Sequence, residues 1–408
     1  VSGPLARRLG TGDAVVIGLG SMIGAGVFAA FGPAARAAGT GLLIGLAIAA
    51  VIAYCNATAS AQLAAVYPVS GGTYIYGRER LGAWWGFTAG WGFVVGKTAS
   101  CAAMALTFAT YAVPGPWWLQ RIVAIGGVIA LAALNYRGIT KTATVTRVLV
   151  ATSLVALAIV VVGAFGRADV RNLEPVSGGV YGTLQAAGLL FFAFAGYARI
   201  ATMGEEVRDP RRTIPRAIPI ALFIAVAVYL VVAVAALLAA GPQGLAHASA
   251  PLTAAVPSGL APVVRIGAAL AALGALLALI AGIGRTSLAM ARHHDLPGWL
   301  AAVHPRHQVP HHAEIALAVV VSAIVAVVDL RGVIGFSSFG VLVYYAIANA
   351  AASTQPAEQR RWPRWLNLLG VAGCVTLVVT LPWQSVVAGL VMFAIGLTGR
   401  AVLARPGR

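Results

Sequence analysis

Two glycine-broken stretches and two lone cations are the residues of this 408-residue chain best placed to do chemistry. The first stretch reads Gly18-Leu-Gly20-Ser21-Met22-Ile23-Gly24-Ala25-Gly26. Each glycine weakens a helix by about 1 kcal/mol relative to alanine, so the backbone is expected to open across Ser21, Met22, Ile23, Gly24, Ala25 and Gly26. N–H groups freed at the start of a half-helix carry partial positive charge and suit a carboxylate. The second stretch reads Phe191-Phe-Ala193-Phe194-Ala195-Gly196-Tyr197-Ala-Arg199, a glycine flanked by aromatics. Carbonyls freed there suit an ammonium group, and Phe191, Phe194 and Tyr197 are candidate pocket walls. A plainer reading stands beside each. Gly20-x-x-x-Gly24 is also a small-residue packing pattern, and the aromatics could simply fill space between helices. Lys97 lies roughly 14 residues, or about 21 Å of helix, from the nearer end of its apolar span. A lysine that cannot reach water is a candidate to carry a proton or stand in for a cation; alternatively, backbone carbonyls at a helix break hold it. Arg199 also falls within a span and calls for a partner, with Glu205 and Glu206 the nearest carboxylates in sequence.

These residues must be positioned by membrane helices. Hydrophobic residues make up 60% of the chain and charged residues 10%, against about 25% charged in soluble proteins. Twelve apolar spans are predicted, at 13–35, 41–66, 83–112, 120–136, 144–166, 181–203, 214–240, 262–290, 313–330, 333–353, 365–382 and 384–403. With both termini on one side, Arg36, Arg121, Arg167, Arg171, Arg265 and Arg331 fall opposite the termini. Lys97 and Arg199 fall inside spans, and the rest of the 28 Lys and Arg fall on the termini's side. That excess predicts cytoplasmic termini in a multi-pass protein of a bacterial cytoplasmic membrane. Val1 to Gly10 carries no cleavable signal pattern.

The same layout excludes other classes. The net charge of +17 is spread in short clusters between spans, which argues against nucleic-acid binding. Cys55, Cys101 and Cys374 fit no metal or redox spacing. His293, His294, His304, His307, His311 and His312 sit in a proline-containing basic loop, expected to be solvated rather than metal-binding. No nucleophile–base constellation or cofactor signature occurs within the spans, so an enzyme is not expected. No Asp or Glu falls in the middle of a span, which argues against a carboxylate proton relay.

The two glycine-broken stretches occupy the first span and the sixth, the opening members of two five-helix halves. Interrupted helices in matching positions of two halves are the best sequence pointer to a transporter binding site.

These segments resemble the amino acid–polyamine–organocation superfamily. Gly20-Ser-Met-Ile-Gly24-Ala-Gly26-Val-Phe28 is similar to its helix-1 glycine pattern. Phe191 to Pro210, continuing Arg211-Arg-Thr-Ile-Pro215, is similar to its helix-6 pattern. Pro68-Val-Ser-Gly-Gly-Thr-Tyr74-Ile-Tyr76 and Met290-Ala-Arg292 to Pro297 also match, and the cationic-amino-acid-transporter-like branch is nearest. The resemblance implies an all-α membrane protein of the LeuT type in one transporter domain spanning 1–408. Helices 1–5 (13–166) and 6–10 (181–353) would form inverted repeats with helices 1 and 6 broken, and helices 11 and 12 (365–403) would be peripheral. It implies a permease for L-amino acids working by alternating access, with the zwitterion read by the two breaks and Phe194 as a gate. No cofactor is implied; the partners are an amino acid, a possible proton and the bilayer.

Departures from the family pattern bear on coupling. The family often has an acid where Arg199 stands, and Gln62 replaces an acid expected in span 2. Arg199 could anchor a gate or attract an anionic side chain. Relatives in this branch often carry a lysine mid-helix 5, where this chain has Ser153. Ala278 to Gly284 lacks the hydroxyl of a LeuT-type sodium site. Proton symport or amino-acid exchange is therefore expected rather than sodium coupling. Rival readings are a polyamine or organic-cation transporter, which would need acids in its pocket, and a non-transporting substrate sensor.

Overall fold

Every regular element of this computed structural model is helical, over the described residues 9–173, 175–248, 250–328 and 330–403. The helices are α1 Thr11–Met22, α2 Ala25–Ala29, α3 Phe31–Ala38, α4 Leu42–Val66, α5 Thr73–Leu81, α6 Ala83–Ala112, α7 Trp117–Tyr136, α8 Ile139–Phe165 and α9 Gly179–Phe194. They continue with α10 Ala198–Ala201, α11 Pro210–His247, α12 Pro251–Ala254, α13 Ala261–Arg292, α14 His311–Val327, α15 Leu330–Ser353, α16 Arg364–Thr380 and α17 Trp383–Leu403. Arg7, Arg8, Arg405 and Arg408 lie outside the described residues, and Lys141 and Arg331 are described in backbone alone.

Ten helical stretches are long and apolar enough to cross a membrane. The predicted spans 313–330 and 365–382 form helices of only 17 residues, α14 and α16. At 1.5 Å per residue each is about 25 Å long, short of a hydrocarbon core of about 30 Å. The apolar surface faces outward where lipid would lie: Ile122 and Ile129 on α7 are 60% and 57% exposed, and Leu390 and Ile395 on α17 are 59% and 62%. A face this apolar has no place in water. By contrast α6, α9 and α13 bury most of their length and form the centre.

The first predicted span is not one helix. α1 stops at Met22, because Ile23 (φ −77°, ψ 65°) and Gly24 (φ −127°, ψ −143°) leave helical space. α2 then starts and runs into α3 through Ala30, which keeps helical dihedrals and donates its N–H to Gly26 O. The sixth span is interrupted too: α9 ends at Phe194, a single 3₁₀ turn covers Ala195–Tyr197, and only the four residues of α10 follow.

The histidine loop differs from expectation. His304, His307 and His311 are half-buried rather than solvated, and their rings gather round Tyr136 at centroid distances of 5.1, 5.8 and 6.0 Å. The loop thereby covers the ends of α7 and α14, with Val309 and Pro310 buried beneath it.

Candidate substrate site

The two interruptions meet. A Cβ added at Gly196 would lie 2.4 Å from the carbonyl carbon and oxygen of Ser21. One added at Gly26 would lie 2.6 Å from Ala193 Cα, and one at Gly24 would lie 2.1 Å from the Ala275 Cβ of α13. None of these three glycines has a positive φ, so close approach of backbones is what requires them. A small residue at each of these positions lets the two segments come into contact.

Backbone carbonyls around this crossing take hydrogen bonds from three side chains on other helices. The Tyr229 hydroxyl of α11 lies 2.5 Å from Met22 O and 3.1 Å from Ala193 O, and so bridges the first break to the end of α9. Lys97 Nζ donates to Ala195 O at 3.1 Å, and the Tyr345 hydroxyl of α15 donates to the same oxygen at 3.3 Å. Lys97 is 3% exposed, so its ammonium group depends on that carbonyl. Around the carbonyls the aromatics interlock. Phe191 meets Tyr345 edge-on at 5.8 Å, Tyr197 lies against Tyr345 at 4.9 Å, and Phe194 leans on Tyr229 at 5.1 Å. Ser21, Met22, Ile23, Gly24, Gly26 and Phe191 through Tyr197 are all buried, and Ser21 Oγ has no hydrogen-bond partner. Ala25 opens α2 beside them.

Lys97 and the two breaks are thus brought together, whereas the other coupling candidates are elsewhere. Ser153 is buried on α8, and its hydroxyl donates to Leu149 O at 2.6 Å, within its own helix. Arg199 points toward the arginine-rich end of the bundle, where it meets Glu206 (3.4 Å) and donates to Thr202 Oγ1 (3.0 Å). Of the two carboxylates adjacent in sequence, Glu206 is the partner. Glu205 instead accepts from the Ser70 N–H at 3.1 Å and lies 3.8 Å from Arg292. Glu206 also takes Arg285 of α13, through Nε at 2.7 Å and through Nη2. Each of these three residues is at most 2% exposed. A buried carboxylate shared by two guanidinium groups offsets their charge only while the segments stay together.

Sequence reasoning missed Tyr229, Tyr345, Arg285 and Glu314. No acid occupies the middle of a helix, yet Glu206 and Glu314 are both 1% exposed at helix ends. Glu314, in the first turn of α14, has no hydrogen-bond partner for either carboxyl oxygen. Burial at these positions comes from the tertiary packing around them, which position within a span does not reveal.

The same end of the bundle is closed by further contacts. Leu9 pairs with Val207 as an isolated bridge, with Leu9 N–H donating to Glu206 O and Arg208 N–H to Leu9 O. Asp295 binds Arg78 (3.3 Å), Arg400 (3.0 Å) and the Tyr74 hydroxyl (2.7 Å). Burial first, and Asp295 second, push the Tyr74 phenol well above its ordinary range, so it remains a donor. The four stretches singled out in the sequence therefore contribute to two places: the crossing of the breaks, and the seal beyond it.

Comparison with known proteins agrees with this geometry. The amino acid permease family matches residues 9–397. An uncharacterized transporter of Mycobacterium tuberculosis is 61% identical over 98% of this chain and 91% of its own. A branched-chain amino acid permease of Bacillus subtilis is 28% identical over 96% of this chain and 92% of its own. A chloroplastic cationic amino acid transporter of Arabidopsis thaliana is 29% identical over 95% of this chain and 73% of its own. Two interrupted helices crossing at the centre of an apolar bundle, and a family match along almost its whole length, place the chain in the amino acid permease family, as a multi-pass membrane transporter of small solutes and not an enzyme.

Proposed function

We propose that the protein carries L-amino acids across the bacterial cytoplasmic membrane by alternating access, with both termini cytoplasmic. The observation that carries this reading is the contact between the two helix breaks. The half-helix opening at Gly24 offers N–H groups to a carboxylate, and the carbonyl at Ala193 offers an acceptor to an ammonium group. These are the two charges common to every α-amino acid. Residues 13–166 and 181–353 act as inverted repeats of a LeuT-type fold, and α16 and α17 lie at the periphery. The match to a branched-chain permease over nearly equal lengths supports an amino acid as cargo; the weaker resemblance to the cationic branch does not fix its charge.

Lys97 supplies the coupling. Its ammonium group donates to Ala195 O and so fixes the backbone beside the Ala193 carbonyl, which is left for a substrate amine. A protonated Lys97 thereby favours substrate binding, so that proton and amino acid travel together. Exchange without net proton movement is the alternative, with Lys97 as a fixed brace.

Uptake by the purified protein in liposomes tests both points. The panel is labelled neutral, cationic and anionic amino acids plus putrescine, with and without an inward proton gradient, repeated for Lys97→Met. Amino-acid uptake that rises with the gradient and loses that rise in the variant supports proton symport through Lys97. Gradient-independent uptake that needs internal amino acid assigns exchange. Uptake of putrescine alone, or of nothing, refutes the amino-acid reading.

A further inference from the structure

A cavity of about 460 Å³ opens at the end of the bundle opposite the Arg199–Glu206–Arg285 cluster. Its size is that of a small-molecule site. Phe28 and Ala29 of α2 form its floor, so it lies directly beyond the first break. Phe28 is held there by Tyr111 of α6, whose hydroxyl donates to Phe28 O at 3.0 Å and whose ring meets it edge-on at 5.9 Å.

The lining includes two guanidinium groups, Arg36 of α3 and Arg265 of α13, and no carboxylate. Each is tethered at one N–H: Arg36 Nη2 to Ala246 O at 2.5 Å, and Arg265 Nη1 to Thr110 O at 3.3 Å. A guanidinium has five N–H donors, so each keeps donors free beyond its one tether, Arg36 at an exposed position and Arg265 at a half-buried one. Donors of this kind favour a bidentate carboxylate. Thr107, 2% exposed, also lines the cavity, and its hydroxyl has no hydrogen-bond partner.

We propose that this cavity is an outer waiting site, in which Arg36 and Arg265 take the α-carboxylate of the incoming amino acid and the Thr107 hydroxyl accepts from its ammonium group. The inference rests on the amino-acid reading above and adds a substrate class to it. With Arg36, Arg265 and Lys97 along the route and, among the described residues, no free acid at either station, a second positive charge on the substrate finds no partner there. The cargo therefore has an uncharged or acidic side chain, and lysine, arginine and diamines are rejected at the entrance.

The test is uptake of labelled leucine, alanine, glutamate and lysine by proteoliposomes of wild type, Arg265→Gln, Arg265→Lys and Gln120→Glu. Gln120 lines the same cavity near the start of α7, and the glutamate there adds an opposing charge at the loss of the amide's bonds to Val113 O (3.2 Å) and Gly115 O (3.3 Å), so its melting temperature is measured alongside. We expect Arg265→Gln and Gln120→Glu each to raise KM for the transported amino acid about tenfold with kcat held within about twofold, and Arg265→Lys to stay close to wild type. Lysine is not taken up by the wild type. Wild-type transport with KM unchanged in Gln120→Glu and in a folded Arg265→Gln overturns the outer site and leaves the transport reading intact. A fall in kcat alone, or lysine as the best substrate, overturns it as well. Failure of the wild type to move any of the four overturns both readings.

Discussion

Tyr229→Phe should loosen the contact between the two breaks without disturbing its surroundings. The ring that leans on Phe194 is kept, and only the hydroxyl between Met22 O and Ala193 O is lost. A hydroxyl has one proton, so the two contacts amount to one shared bond. Met22 O keeps the Gly24 N–H at 2.8 Å, so the loss is that of one hydroxyl hydrogen bond, about 0.5–1.5 kcal/mol. Taking a value near 1.4 kcal/mol, the ratio of open to closed forms should rise about tenfold, provided the bond exists only when the breaks are together. Ser21→Cys provides the probe, because Ser21 Oγ is buried and unpartnered and a thiol replaces it with little change in shape. The native cysteines Cys55, Cys101 and Cys374 are buried, and protein lacking the probe gives the background. The labelling rate of Ser21→Cys by a small thiol reagent should rise about tenfold on adding Tyr229→Phe, if opening limits labelling. An unchanged or slower rate would refute the claim that this hydroxyl pins the closed form.

Other perturbations read out the same architecture. Gly196→Ala forces a methyl group against the Ser21 carbonyl at 2.4 Å and should cost at least about 1–3 kcal/mol with loss of transport. Gly12→Ala meets nothing within 4 Å and should gain about 0.5–1 kcal/mol; melting of the two purified variants against wild type checks both signs. Arg285→Met strips Glu206 of its closest partner and should destabilise by about 3–5 kcal/mol. Arg199→Met, which removes a 3.4 Å contact to Glu206 and a 3.0 Å bond to Thr202 Oγ1 but leaves Glu206 its closer partner, should cost less, and the reverse order in a melting series would contradict the assignment of partners. Lys97→Met should abolish gradient-driven accumulation in the uptake assay described above while leaving the melting temperature within a few degrees, since one neutral acceptor is all it deserts.

Much of this was legible in the chain because glycine is informative where helix is the default. Ser21–Gly26 and Phe191–Gly196 marked where helices were expected to open; only Ile23 and Gly24 leave helical space in the first, while in the second Phe191–Phe194 stay α-helical and a 3₁₀ turn follows at Ala195–Tyr197. The depth of Lys97 was readable from its distance to the span end. Its partner was not, because Ala195 is remote in sequence and a carbonyl has no signature. Tyr229 and Tyr345 were invisible for a related reason: a tyrosine in an apolar span looks like any packing aromatic until a freed carbonyl faces it. The choice of Glu206 over Glu205 turned on which face of a short, irregular segment looks toward α13, and no periodicity applies there. Glu314 looked like a span-end residue in contact with water, and the packing of α14 against Gly284 of α13 buries it. The lengths of α14 and α16 were overestimated because apolar composition continues past the last helical turn.

The pairing of Leu9 with Val207 has a consequence for biogenesis. During synthesis the two partners emerge about 200 residues apart, which at typical elongation rates of 5–20 residues per second separates them by about 10–40 s. Six of the long apolar helical stretches enter the bilayer in that interval with their seal incomplete, because Val207, Glu206 and Arg285 have yet to be made. The early half must therefore wait in the membrane with its central polar groups exposed to whatever the insertion machinery allows near them. A chain stalled or truncated before α11 would keep that vulnerability permanently, and quality control would find its mark there rather than in the apolar spans.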